Sequence, residues 1–442
     1  MSNFFILIVI IIAIGISKYF FQRWFNSLLI YSIVWGSMLS AYELKLMPFI
    51  NLSSDTWIII IGSYLAFFLG VAICFTTKGV NFNINYRTIN SKKSDFIFFN
   101  NNKFFNRIIW SLALIGLFAA IHHWWVLLEE YGSFTKIIFH AARIYRQRAD
   151  GLDDNSIPYL WLGSYLAVFY AGISNAKKGK IEFVTIIAIL GIILKEMARF
   201  VRSGILVGML LYITSYIYFR YSVAADSLGK NKKSNRKIII GAFIVISILV
   251  AAAGFVKVSR NAPDNFSGTS SSLTQFDGGA FISPSIYLYL SSHVAVLSRS
   301  ITMEEKNTYW AQNTFRELYT ILGIFGLHEK IGYDMPGYYI PYWTNSGSYL
   351  RDLYRDFGPL GIIWFPFFVG LFASFFWIKF YESNDIYYFL GLVNLTIVIG
   401  MSFFSYMIKS VLLSINLFFH IIIIEFSYLL YRKFTNRNQD DL

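Results

Sequence analysis

The stretch Leu360–Ile378 reads LGIIWFPFFVGLFASFFWI, nineteen residues without a charged side chain. As a helix rising 1.5 Å per residue it would be about 28 Å long, close to the thickness of a bilayer's hydrocarbon core. Ten more runs of similar character lie to either side: Phe4 to Phe21, Trp24 to Tyr42, Thr56 to Phe75, Ile108 to Leu128, Ile157 to Ser174, Ile181 to Leu194, Ser203 to Phe219, Ile238 to Phe255, Ile386 to Tyr406 and Val411 to Tyr431. The run from Ile181 is short and is expected to continue as helix past Lys195. No basic residue precedes the first run and no small-residue cleavage site follows it, so it reads as a retained anchor. Composition agrees: 56% of the 442 residues are apolar, 19% aromatic and only 14% charged, with a mean hydropathy of +0.52. A soluble chain would carry about a quarter charged residues. A soluble globular protein, a disordered chain, a collagen-like chain and a small disulfide scaffold are all excluded. Cys74 is the single cysteine, so no internal disulfide can form and the redox compartment stays unread. The expectation is an all-α, polytopic membrane bundle of about eleven spans.

An odd number of spans puts the termini on opposite sides, and basic residues decide which is which. With the amino terminus outside, the cytoplasmic segments hold 21 of the 38 Lys and Arg against seven acids, while the outer segments hold 17 of each sign, with Glu425 left inside the last span. The net charge of +13 therefore needs no nucleic acid; it reads as topology, with the carboxyl terminus cytoplasmic. The spans group as residues 1–256, a large outer segment 257–359, and 360–442 with a cytoplasmic tail. Asn261 to Gly279 is rich in Ser, Gly, Asn and Thr and reads as loop. Ser285 to Leu297 and Phe315 to Leu327 are apolar but too short to span, which predicts interfacial or re-entrant helices.

Three groups of cations fall on the outer side. Lys195, Arg199 and Arg202 stand at i, i+4 and i+7, one positive stripe if helix runs through them. Such a stripe suits an anion, or else long side chains reaching headgroup phosphates. His140, Arg143 and Arg146 share a helical face, followed at once by Asp150, Asp153 and Asp154, which either neutralise the loop or leave it a second anion site. The third group lies in TNSGSYLRDLYRDFGPLG, Thr344 to Gly361. Here Asp352 and Arg355 are placed to pair at i, i+3, leaving Arg351 and Asp356 for other partners. Phe357-Gly358-Pro359 ends this short helix and starts the next span. On spacing alone the motif is a charged, capped start to a membrane helix. His122 and His123 stand beside Trp124 and Trp125 as an interfacial belt, and Glu425 reads as a structural or snorkelling acid.

The run Tyr354-Arg355-Asp356-Phe357-Gly358-Pro359-Leu360-Gly361, with Asn345-Ser346-Gly347-Ser348 before it, resembles the signature of the Wzy-type O-antigen polymerases, bacterial polymerases of oligosaccharide repeat units. Ile286-Tyr287-Leu288-Tyr289-Leu290, Asn313-Thr314-Phe315 and Leu318 to Leu327 are similar to the same family's outer-loop pattern, and Arg202-Ser203-Gly204 matches part of its Gly-Ser-Arg-Ser step, with Phe200-Val201 standing where the first residues differ. The likeness covers Ser285 to Leu371; elsewhere it is hydropathy alone. It implies a membrane fold like that of other lipid-linked glycosyltransferases, sited in the cytoplasmic (inner) membrane. It also implies transfer of a glycan from polyprenyl pyrophosphate onto the next lipid-linked repeat unit, for O-antigen, capsule or a related polysaccharide. A pyrophosphate leaving group calls for cations near the headgroups, here Arg199, Arg202, Arg351 and Arg355, with Arg143 and Arg146 as further candidates. The acceptor hydroxyl calls for a base, with Asp356 first, then His293, Glu317 and Asp352. No cofactor or metal is expected: there is no phosphate-binding loop, no dinucleotide fingerprint and no Cys/His metal spacing. The expected partners are the lipid-linked oligosaccharide, the membrane and, as an open candidate, a chain-length regulator. A ligase acting on another acceptor and a flippase or transporter for lipid-linked sugars remain as alternatives.

Overall fold

A computed structural model of the protein describes residues 3–77, 102–149, 157–223, 251, 254–255, 257–259, 266–276, 283–304, 307–328 and 336–440. The chain is nearly all helical. Its long helices are α1 (Asn3–Phe21), α2 (Ser27–Glu43), α3 (Ser54–Thr77) and α4 (Asn102–Tyr131), followed by two short ones, α5 (Phe134–Phe139) and α6 (Ala141–Ala149). Then come α7 (Leu162–Lys178), α8 (Phe183–Ala198) and α9 (Ser203–Val223). Five helices, Ser54–Thr77, Lys103–Tyr131, Ser203–Arg220, Pro359–Ser383 and Leu412–Leu430, are long and apolar enough to cross a membrane, and Ile11–Phe21 and Ile386–Met401 are shorter apolar helices. They make the chain an all-α, multi-pass membrane protein. The expected span from Ile238 to Phe255 lies almost wholly outside the described residues.

The segment from 283 to 358 holds α10 (Pro284–Ser291), α11 (His293–Thr302), α12 (Arg316–Ile324) and α13 (Tyr349–Phe357). A two-stranded antiparallel ribbon, Tyr338–Tyr339 with Trp343–Thr344, stands between α12 and α13. Ser283 starts α10 by accepting from the Ile286 amide, with Pro284 in the first turn where its missing N–H costs nothing. Beyond it run α14 (Pro359–Ser383), α15 (Ile386–Met401), a 3-10 turn Met407–Lys409 and α16 (Val411–Asp440).

Close approach of backbones organises the bundle. A Cβ at Gly70 of α3 would lie 2.0 Å from the Phe367 carbonyl oxygen of α14, and one at Gly370 would lie 2.2 Å from the Phe67 carbonyl. These two helices therefore touch main chain to main chain, which membrane helices achieve with small residues because lipid offers no hydrophobic drive to associate. On the other side α4, α7, α8 and α9 pack together. Helix α15 lies between the groups: Phe389 meets Phe169 of α7 and Phe380 of α14, and Thr396 shares a 2.8 Å hydrogen bond with Tyr218 of α9.

Three expectations are corrected here. The run Ser285 to Leu297, expected as one interfacial or re-entrant helix, is two: it breaks at Ser292, and Val294 to Leu297 are fully buried where α11 packs on α3 and α13. The run Ile386 to Tyr406 is helical only to Met401. There the Ser402 carbonyl accepts the Tyr349 amide at 2.9 Å and its hydroxyl accepts the Trp35 indole N–H at 2.9 Å, turning the chain toward Lys409. The stripe Lys195, Arg199, Arg202 does not form: α8 stops at Ala198, and Phe200 is left-handed at φ 52°.

Candidate functional site

Helix α13 has the composition of a surface helix and the position of a core one. Arg351 and Asp352 are each 1% exposed, and Arg355 and Asp356 are also buried. Ions in such a place must find partners, because desolvation costs several kcal/mol per charge. Asp352 finds two: its Oδ1 lies 3.1 Å from Arg351 Nη2, and its Oδ2 lies 2.5 Å from Lys409 Nζ. Burial alone would raise the Asp352 carboxyl, but Lys409 and Arg351 hold it below the usual carboxylate range. Lys409 is itself pulled down by burial, with Asp352 opposing and Arg351 and Arg316 adding repulsion. Two cations thus meet one carboxylate, with a third cation close by. The Arg351 guanidinium lies flat over Gly347, where a Cβ would be 2.2 Å from Cζ, and its Nη1 reaches toward the carbonyls of Asn345 and Ser346 at 3.5 and 3.4 Å.

Asp356 faces the other way and is occupied. Its Oδ1 accepts the Asn313 amide at 3.0 Å, the Asn313 side chain at 3.1 Å and the Asn307 side chain. Its Oδ2 accepts the Thr314 amide at 2.8 Å and the Thr314 hydroxyl at 2.7 Å. Burial pushes this carboxyl up, against the pull of the Thr314 and Asn313 donors. The pairing of Asp352 with Arg355, inferred from spacing, is replaced by Asp352 with Arg351 and Lys409. Asp356 takes neutral donors from the segment before α12.

At the carboxyl end of α13, Gly358 adopts φ 64° and ψ −153°, a conformation that L side chains resist. Pro359 then opens α14. The turn fixes α13 at the head of a membrane-length helix.

His293 of α11 sits among the Phe403, Phe404 and Tyr289 rings. Burial drives its imidazole down to about 3, with Arg351 adding to the fall and the carbonyls of Tyr289 and Gly347 opposing it. It is neutral, enclosed and weakly basic. Arg202 stacks over the outer side of the same group, 5.1 Å from the Tyr289 ring centre, and burial lowers its guanidinium while Tyr289 and Tyr145 of α6 oppose. Arg202 is therefore brought onto Tyr289, whose ring in turn meets His293, although not by the stripe expected. Arg199 stays at the end of α8, and Arg143 and Arg146 are exposed on α6. Glu317, half-buried on α12, has its carboxyl raised by burial against the pull of Arg316.

Lys195 is not part of an anion stripe. It lies buried 2.6 Å from Glu196 Oε1 and 3.7 Å from the Trp161 ring centre, and Tyr165 donates to the same Glu196 oxygen at 3.0 Å. Glu425 accepts the Tyr387 hydroxyl. The residues that spacing missed are Lys409, Asn307, Asn313, Thr314 and Glu196. A lone lysine in the short connection between two apolar runs was the available signal for Lys409. Among the described residues no three His, Cys, Asp or Glu gather as a metal site. Comparison with protein-family models, with curated proteins and with solved structures found no match.

Proposed function

We propose that this chain is a polymerase of polyprenyl-pyrophosphate-linked oligosaccharide repeat units. On this reading it spans the cytoplasmic membrane eleven times, with the amino terminus and residues 257–359 outside and the carboxyl terminus cytoplasmic. The observation that supports it is the burial of the charged motif at the Pro359 end of α14, where Arg351 and Lys409 clasp Asp352 and Arg316 stands close. A cation-rich cluster at the head of a span suits an anion carried on a lipid. In the reaction the bond from the donor sugar's anomeric carbon to the pyrophosphate oxygen breaks, and a bond from the acceptor hydroxyl forms. The electron pair leaves with the pyrophosphate, whose growing charge Arg316, Arg202 and the Arg351–Lys409 pair stabilise. The hydroxyl proton passes to Glu317. That residue replaces Asp356 as first choice, because both Asp356 oxygens are filled and His293 is enclosed, whereas Glu317 is reachable and its raised carboxyl is the better base.

The test is purified protein in liposomes with a lipid-linked single repeat unit and no nucleotide. A ladder of multiples is expected. Transbilayer movement without a ladder would move the assignment to a flippase, and transfer only to a different acceptor would move it to a ligase.

A further inference from the structure

The segment that fills Asp356 continues into an arm whose apolar face has no cover from the described chain. Phe315, Leu318, Ile321 and Phe325 lie at i, i+3, i+6 and i+10, close to one face of α12, and all four are exposed, Phe325 at 73%. Leu327 is 74% exposed just beyond, and Trp310 is 68% exposed just before. The arm does not project at random. The Trp310 ring meets Phe357 at 5.4 Å, and Phe357 meets Trp364 at 5.1 Å, on the first turns of α14, where Leu360 and Ile363 are exposed as a membrane helix exposes its lipid face. The exposed apolar face of the arm is thus continuous with the lipid-facing surface of a span, through a chain of rings at the span's end. Aromatic rings at that level are what the boundary between headgroups and acyl chains selects.

What ties the arm to the protein is the Asp356 carboxylate. All its donors come from Asn307, Asn313 and Thr314, immediately ahead of α12. Thr314 is bonded in turn to the Tyr406 hydroxyl at 3.0 Å, and the Asn307 amide reaches the Arg355 carbonyl. We propose that the 307–328 arm lies in the lipid headgroup boundary on its Phe315–Phe325 face, and that Asp356 is the positioning residue that latches it to the charged helix. Arg316, at the start of α12 within the arm, is then held toward Lys409 by the same latch. This inference rests on α14 being a membrane span and is independent of the polymerase reading.

The occupant is lipid, and a covering protein is the alternative the test must separate. In a full-length Cys74→Ala, Phe325→Cys chain, an environment-sensitive fluorophore is placed at 325 and the protein is reconstituted alone in vesicles containing a mixture of lipids brominated near the headgroup and lipids brominated along the acyl chain, so that both levels are reached. Label at 325 is expected to be quenched about as strongly as label at Leu65→Cys, an exposed position on α3. No quenching at 325 with quenching at 65 intact would overturn lipid as the occupant. Asp356→Asn replaces an oxygen acceptor by an amide that faces N–H donors, so quenching at 325 should fall about twofold or more once the released arm is off the bilayer half the time, with position 65 unchanged. Asp356→Glu, which keeps both acceptor oxygens, should restore much of it. Unchanged quenching at 325 in Asp356→Asn would overturn the latch. If Asp356→Asn also loses quenching at 65, the fold has failed and Thr314→Val decides: it removes one hydroxyl donor, and quenching at 325 equal to the parent's would overturn the proposal. None of these readouts uses polymer, so their failure leaves the polymerase reading standing and the reverse.

Discussion

Replacing Asp352 by Asn keeps the shape of the side chain and removes the one negative charge between Arg351 and Lys409. The two contacts, 3.1 Å to Arg351 and 2.5 Å to Lys409, are made by groups no more than 4% exposed, so water cannot take over the lost role. Breaking a buried pair by removing one partner costs about 3–5 kcal/mol. Lys409, already drawn down by burial, limits its share by shedding its proton, whereas a guanidinium cannot. Arg351 therefore sets the loss, and Asp352→Asn should fall inside that range. Lys409→Met should cost less, since Asp352 keeps Arg351. The double variant Asp352→Asn, Lys409→Met should cost at least about 1 kcal/mol less than the sum of the singles, as neighbours in one network couple by roughly 0.5–3 kcal/mol. Unfolding of the purified chain by SDS in mixed micelles, followed by tryptophan fluorescence, measures all three. Additivity within about 0.5 kcal/mol would refute the claim that Lys409 and Asp352 act on one another. Acid provides a second reading of the same charge. The folded Asp352 carboxyl is depressed, so its stabilisation is complete above the ordinary unfolded value and is lost as pH falls through the depressed folded one. Wild-type stability should show a loss below about pH 4 that Asp352→Asn lacks.

Gly70→Ala should lower the yield of folded, monodisperse protein in detergent, at a cost of about 1–3 kcal/mol or more, because its Cβ meets a carbonyl oxygen that cannot swing away. Gly62→Ala on the same helix, with nothing within 4 Å, is the control, and equal behaviour of the two would remove the main-chain contact of α3 with α14. Glu317→Gln should abolish ladder formation while leaving the protein inserted and abundant. In the wild type, turnover should rise with pH along a limb set above the usual glutamate value, since the base works deprotonated and burial raises its carboxyl. Retained turnover with the same limb would remove Glu317 from the reaction.

The helices were legible because apolarity and length are local properties, and a charge-free run such as Leu360–Ile378 has few other uses. The end of the tenth run was not legible for the same reason. Phe403, Phe404 and Tyr406 are as apolar in a turn as in a helix, and what stops α15 at Met401 is bonding of Ser402 to Tyr349 and Trp35, both remote in sequence. The pairing within Arg351–Asp356 failed for a different reason. Spacing rules for i, i+3 and i+4 describe a helix with water on one side, where neighbours on the same turn are the only available partners. Helix α13 leaves only Tyr354 and Phe357 half-exposed and none of its charges. Each charge is therefore held by whatever surrounds it: Asp352 by its neighbour Arg351 and the remote Lys409, and Asp356 by donors ahead of α12.

That burial also orders the assembly of the site. A surface motif keeps its conformation without its neighbours, but Asp352 in a dry interior is stable as an anion only with Arg351 and Lys409 in place, and Asp356 only with the donors from Asn307, Asn313 and Thr314. The 3-10 turn after α15, the residues from Asn307 to Thr314 ahead of α12, and α13 itself must therefore fold as one unit. A charged stretch flanked by apolar runs then specifies its own complement: somewhere in the same chain, isolated polar residues in otherwise apolar or loop sequence have to meet it. Lys409 is such a residue, alone between two apolar runs, and Asn313-Thr314 is another such pair, set just ahead of an apolar arm. On the function proposed above, the cations gathered at that meeting point are the groups a lipid-borne anion would engage. Arg316 brings a further cation near Lys409, whose ammonium is lowered by burial and by the repulsion of Arg351 and Arg316 against the pull of Asp352.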